Sequence, residues 1–230
     1  MNFQLDNFVH LVLIGFVALF PVVNPIGTAF IVSPYLTGLQ KKERLRIVKI
    51  VTIYAFMVCA ITLFIGHWIL ELFGLSIPII QLAGGIMICK IGWEFLSSDN
   101  DTKASGKGEI IDDKQLSSFA TVENKVFYPI TFPMTTGAGT IAVLFTLSAH
   151  GANKEPSQYF FNVGALLVSV VMICVLIFIF YLNTNRLLGH IGKQGEVIIN
   201  RIMAFLIFCV GLQIGADGII HFIKTEFSLP

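Results

Sequence analysis

The chain has 230 residues, of which 55% are hydrophobic and only 13% charged, with a net charge of +1. A soluble domain carries roughly 25% charged residues, so these proportions exclude a soluble globular protein and define an integral membrane one. They exclude a nucleic-acid partner too, because no basic stripe with interleaved aromatic residues runs through the chain.

The first apolar run, Phe8–Leu36, follows Asp6 and has no basic leader, so it reads as a real span and not a signal peptide. As one helix it would be about 43 Å long, more than a hydrocarbon core of roughly 30 Å accommodates without tilting or breaking. Its middle holds Pro21-Val-Val-Asn24-Pro25-Ile26-Gly27-Thr28. Pro25 lacks an amide proton and forces Asn24 out of α geometry, and Gly27 adds backbone freedom. The span is expected to break near residues 21–27. Ile47–Leu70 and Ile77–Leu96 follow as spans two and three, and the polar stretch 98–124 reads as a mobile linker.

Span four, Lys125–Ala149, repeats the interruption as Pro133-Met-Thr135-Thr136-Gly137-Ala138-Gly139-Thr140, and is expected to break near 133–139. Pro21, Gly27 and Thr28 recur as Pro133, Gly139 and Thr140 at a constant spacing of 112 residues. Tyr159–Leu182 and Val197–Ile223 are spans five and six. Spans three and six match more weakly at a spacing of 119, with Gln81 over Asn200 and Gly92 over Gly211. The expected fold is an all-α membrane protein of six transmembrane helices. It divides into two three-helix repeats, residues 1–97 and 125–230, with helices 1 and 4 discontinuous. An odd number of spans per repeat inverts one half relative to the other.

Charge sets the orientation. Twelve basic residues fall in the loop after span one, the central linker and the loop before span six, against only Lys154 and Lys224 on the other face. The positive-inside rule makes those three segments cytoplasmic and both termini external. Trp68 and Trp93, near opposite span ends, suit interfacial belts.

Irregular backbone at membrane depth survives only where protein or a wet cavity covers it, so the two breaks point to one central site. The half-helices that restart there present partial positive charge and amide groups, a cradle for a carboxylate. Asn24, Pro25, Ile26, Gly27 and Thr28 from the first break, and Thr135, Thr136, Gly137, Ala138, Gly139 and Thr140 from the second, are the candidate substrate-binding residues. No ionisable side chain lies near the midplane of any span, which favours a neutral or zwitterionic solute, and the bare second break suits a small one. Asp217, Glu94 and Gln213 are candidates for coupling or gating, although Lys90 and Glu94 also have the spacing of a local ion pair. Gly84-Gly85 and Gly211-x-x-x-Gly215 read as close helix-packing faces. The four cysteines sit singly in apolar spans and read as small buried hydrophobes. No nucleotide loop, metal constellation or nucleophile triad is present, so neither an enzyme nor a cofactor is expected.

Asn24-Pro25-Ile26-Gly27, Ser76-Ile-Pro78 with Leu82-Ala-Gly-Gly85, Pro133-x-x-x-Gly137-x-Gly139-Thr140-Ile-Ala142, and Arg201-Ile-Met with Gly211-Leu-Gln213 together resemble the MarC family of six-span inner-membrane proteins, over essentially the whole chain. The resemblance implies secondary transport of small neutral amino acids such as glycine or alanine by alternating access. It also implies coupling to H⁺ or Na⁺ and an inner-membrane location. Ala138 stands where the family's span-four motif has proline. A channel for small neutral solutes is the alternative, since Asn24-Pro25 resembles half of the paired signature of aquaporin-like pores, although the second repeat lacks Asn-Pro. A further alternative is a non-transport membrane protein that affects drug susceptibility. The bilayer, the solute and a coupling ion are the expected partners.

Overall fold

The computed structural model describes residues 2–97, 119–151 and 156–227. Among them every regular element is helical. The chain runs through α1 (Asn2–Val23), α2 (Pro25–Thr37), α3 (Lys41–Leu72), α4 (Ile77–Ser97) and the short α5 (Phe119–Asn124). It then passes through a wide-turned segment, Val126–Thr135, into α6 (Ala138–Gly151), α7 (Pro156–Leu182) and α8 (Thr184–Phe227). Five stretches are long and apolar enough to cross a membrane. A sixth appears if Val126–Thr135 and Ala138–Ser148, bent by 63° to each other, make one span.

Local chemistry explains where the helices start and stop. The Gln40 amide donates to the Glu43 carboxylate at 2.9 Å, closing the first turn of α3. That start lies six residues ahead of the apolar run, so Lys41, Lys42, Arg44, Arg46 and Lys49 stand on the helix and not in a loop. Gly74, at φ 61°, turns the chain out of α3, and Gly192, at φ 64°, interrupts α8. The stretch before span six is therefore also helical, Thr184 onward, with a break at Gly192. Residues 119–124, read from sequence as the end of a mobile linker, form α5. Arg46 pins it, with an ion pair to Glu123 at 2.8 Å and its guanidinium 5.4 Å from the centre of the Phe119 ring. The rest of that linker, 98–118, lies outside the described residues, as does Lys154.

Between the spans the packing is close. α4 crosses α8 through glycines. A Cβ on Gly85 would sit 2.4 Å from the Gly215 nitrogen, one on Gly92 2.6 Å from that of Phe208, and one on Gly218 2.7 Å from that of Leu82. Backbone meets backbone at all three points, the arrangement that small residues allow between helices in lipid. α3 packs on α7, and α1 on α7, around a core that includes Leu19, Val51, Leu63, Val170 and Ile177. Cys59 and Cys174 are buried in that core, whereas Cys209 is exposed. Trp68 and Trp93 are both exposed, as belt residues would be.

The seam makes a measurable claim. Gly85→Ala is expected to destabilise the protein by about 1–3 kcal/mol, the usual cost of overpacking a rigid contact. Gly164→Ala, where an added Cβ meets nothing within 4 Å, is expected to be neutral. Thermal unfolding in detergent compares the two, and equal midpoints would show that the seam does not limit stability.

Candidate functional site

The first interruption is one residue wide. α1 continues through Pro21 to Val23, Asn24 adopts φ 45° and ψ 64°, and α2 begins at Pro25. Asparagine tolerates this left-handed conformation better than most residues. Its side-chain oxygen accepts from the Gly27 amide at 3.0 Å, and its carbonyl accepts both the Thr28 amide and the Thr28 hydroxyl at 2.9 Å. The two helices together still form a single 32-residue span, Asp6–Thr37. Sequence reasoning anticipated bare amides at this tip, but the Gly27 amide is already capped by Asn24. A carboxylate arriving there would have to displace that side chain.

The second interruption is longer and starts earlier than 133. Tyr128 and Phe132 each precede a proline and are extended, near φ −120° and ψ 123°, as the proline ring requires of its predecessor. The segment is held by hydrogen bonds reaching back five residues, Ile130 to Lys125 at 3.2 Å and Thr136 to Thr131 at 2.8 Å along the backbone. Hydroxyls double them. Thr131 donates to the Val126 carbonyl at 2.7 Å, Thr135 to that of Ile130 at 2.7 Å, and Thr136 to that of Thr131 at 3.1 Å. Regular helix resumes at Ala138. The amides of Ala138, Gly139 and Thr140 precede the first bond of α6, from Ile141 to the Gly137 carbonyl.

The two breaks meet. A Cβ on Gly139 would lie 3.1 Å from Val22 Cγ1 and 3.0 Å from Ile91 Cδ1, so the start of α6 rests on the end of α1 and on α4. Thr135 Oγ1 is 2.8 Å from the hydroxyl of Tyr181, a wholly buried residue near the end of α7. Asn200 enters from α8. Its Oδ1 would be 2.4 Å from a Cβ on Gly27, and Asn24 Nδ2 2.1 Å, so two amide groups lie over that glycine. Asn24, Gly27, Thr28, Thr135, Thr136, Gly139 and Thr140 are buried, and Pro25 with them. Ile26 and Gly137 are partly covered, and Ala138 is exposed at the rim. Among the described residues the buried polar side chains are Asn, Gln, Ser, Thr and Tyr, with no carboxylate, ammonium or guanidinium.

The candidates for coupling lie apart from this cluster. Glu94 is exposed and 3.8 Å from Lys90 in the local ion pair that their spacing suggests. Gln213 donates to Asp217 at 3.0 Å within α8. Arg201 is a hydrogen-bond donor to the Leu96 carbonyl at the end of α4. Tyr181 and Asn200 are the members sequence reasoning missed. A tyrosine at the end of an apolar span has the appearance of a belt residue. Asn200 carried a signal in its alignment with Gln81, which is itself buried.

Interrupted segments meeting around uncharged hydroxyl and amide groups, inside a bundle of apolar helices, define a multi-span integral membrane protein with a polar centre. The chain belongs to the MarC family of integral membrane proteins, whose pattern it matches over residues 9–223. It is 29% identical over 220 residues to the inner membrane protein MarC of Escherichia coli (strain K12), covering 92% of this chain and 95% of that one. The same figures hold for the inner membrane protein MarC of Shigella flexneri. No solved structure matches the chain.

Asn24 serves the first break twice, through its backbone and through its cap, and substitutions separate the two. Asn24→Ala loses the cap and strains the left-handed backbone, an expected cost of about 2 kcal/mol. Asn24→Gly loses only the cap and should cost clearly less. Thermal unfolding of both variants in detergent is the check, and identical losses would mean that the backbone conformation carries no weight.

Proposed function

We propose that this protein is a secondary transporter, not an enzyme, that carries small neutral amino acids such as glycine or alanine across the inner membrane by alternating access, coupled to H⁺ or Na⁺. The observation that carries the reading is the meeting of two interrupted spans around side chains that are polar but uncharged. A zwitterion has no net charge to neutralise. Amides at the start of α6 suit its carboxylate, and carbonyls at the ends of α1 and of the wide-turned segment suit its ammonium group.

Two discontinuous helices in inverted repeats are the architecture behind this reading, and several pairings support it. α1 lies on α7 as Val126–Thr135 lies on α3, and α2 lies on α8 as α6 lies on α4. At the 119-residue spacing, Gly85 and Gly92 correspond to Ala204 and Gly211. Gly85 meets Gly211, and Gly92 meets Ala204, so this contact maps onto itself under exchange of the halves. Gly74 and Gly192, each at positive φ, sit at matching places in the two connections. With the basic segments inside, both termini are external and the 98–124 linker is cytoplasmic. Asp217 with Gln213, or Glu94, would serve coupling away from the centre.

Purified protein in liposomes should take up radiolabelled glycine or alanine saturably and show counterflow, which a pore does not. Thr136→Val should lower the rate roughly tenfold, the scale of losing one buried hydrogen bond. An absence of flux above empty vesicles across a broad amino acid panel would sink the proposal.

A further inference from the structure

We infer that the outward face of the α4–α8 seam is covered by a second copy of this chain, in a two-fold dimer within the membrane. The inference does not rest on the transport reading.

This face differs from the others in what it would hold against lipid. The outward faces of α3 across residues 50–66 and of α7 across residues 159–182 expose only apolar and aromatic side chains. On α4 and α8 the exposed stripe includes Lys90, Glu94 and Gln213, with Asp217 partly exposed beside them. The Lys90 and Glu94 side chains are 74% and 60% exposed. The span Pro78–Ser97 has 20 residues and is about 30 Å long, the thickness of the hydrocarbon itself. Lys90 therefore stands inside the hydrocarbon, about 10 Å from the Ser97 end, and Gln213 about 16 Å from the nearer end of the span Gln194–Lys224. Hydrocarbon offers such groups no partner, and ionisable side chains within membrane helices turn toward protein or water. Rotation cannot bring them inward here. Gly85 meets Gly215 and Gly92 meets Phe208 backbone to backbone, which fixes the faces that α4 and α8 show to each other.

Two copies inserted the same way are related by a two-fold axis along the membrane normal, which brings a surface patch against itself. This patch is complementary to itself. Lys90 and Glu94 carry opposite charges one turn apart and stand 3.8 Å from each other, wider than a hydrogen bond. Lys90 can thus also meet Glu94 of the partner subunit, and the reverse. Gln213 gives one amide proton to Asp217 at 3.0 Å. Its second proton and its carbonyl oxygen suit the same amide on another copy, the kind of hydrogen bond that joins helices in lipid. Ala83 and Ala216 are exposed on the same two helices and are small enough to allow close approach. An anionic lipid headgroup fits less well, because Glu94 offsets Lys90 and Asp217 adds a further carboxyl group.

The chain carries its own probe, since Cys209 is exposed one turn before Gln213 whereas Cys59 and Cys174 are buried. In membranes, a short bismaleimide should link two copies into a species of twice the chain mass, and Cys209→Ser should abolish it. Val171→Cys in the Cys209→Ser chain moves the thiol to the outward face of α7 and should give no such species. Energy transfer between full-length copies labelled at one terminus, followed in vesicles as lipid dilutes them, reads the association. Gln213→Leu should weaken it about threefold to tenfold, the scale of one hydrogen-bonded pair between membrane helices. Lys90→Leu combined with Glu94→Leu should weaken it at least as much. Equal cross-linking through Val171→Cys, unchanged association in both polar variants, or a chain that is monomeric at every dilution would overturn the inference. Saturable amino acid uptake by such a monomer would leave the transport reading standing and remove the dimer, whereas a dimer without uptake would do the reverse.

Discussion

A helix interrupted inside hydrocarbon exposes amides and carbonyls that no water can satisfy, at several kilocalories per mole for each buried group left without a partner. Everything at the centre of this protein answers that constraint. Thr28, Thr131, Thr135 and Thr136 each turn a hydroxyl back onto a carbonyl of their own segment, and Asn24 caps the amide three residues on. In the wide-turned segment the hydroxyl bonds reach back five residues and run alongside the stretched backbone bonds. Valine has the shape of threonine and would fill the same space, but it would leave those carbonyls with less. The choice of threonine at these sites is therefore a requirement of the interrupted backbone before it is anything to do with a solute.

The spans were readable because hydropathy and length act together. α4 begins at Ile77 as expected and ends one residue later than expected, since Pro78 and the polar stretch after Ser97 bound it on both sides. α3 and α8 run past their apolar cores because lysine, arginine and glutamate are good helix formers outside the membrane. Apolar content does not register such extensions. Proline and glycine located both interruptions, but not their extent. Pro129 widens the second one toward its start, and the left-handed Asn24 confines the first to a single residue. Tyr181 was out of reach for another reason. Its bond depends on Thr135, 46 residues away in the chain, coming within 3 Å of its oxygen, and no local pattern encodes that.

The two breaks are built differently, and the differences are informative. The first break is narrow, capped by its own asparagine and contained in a single long span, whereas the second is bent by 63° and is held by bonds of wider reach. Asn24 has its counterpart in Thr136 at the 112-residue spacing, and Pro25 in Gly137. The Thr136 hydroxyl bonds backward to the Thr131 carbonyl, whereas the Asn24 side chain accepts from the Gly27 amide, so the amides that open α6 are not closed by the residue in the Asn24 position. Of the two electropositive tips, the one at α6 is consequently the better receptor for an anionic group.

That asymmetry bears on how such a protein could move. The α4–α8 seam brings backbone against backbone at Gly85, Gly92 and Gly218. Rigid contacts of this kind transmit motion and do not absorb it. Flexibility has to come from where backbone bonds are long or are shared with side chains, which means the wide-turned segment and the residues around Asn24. The wide-turned segment is joined to α7 through the bond between the Thr135 and Tyr181 hydroxyls. A displacement of α7 by a fraction of an ångström would disturb the second break through that bond, while the same displacement along the seam would meet glycine backbones already in contact. The bundle therefore combines a stiff α4–α8 axis with two interrupted segments near its centre whose backbone is held partly by side chains.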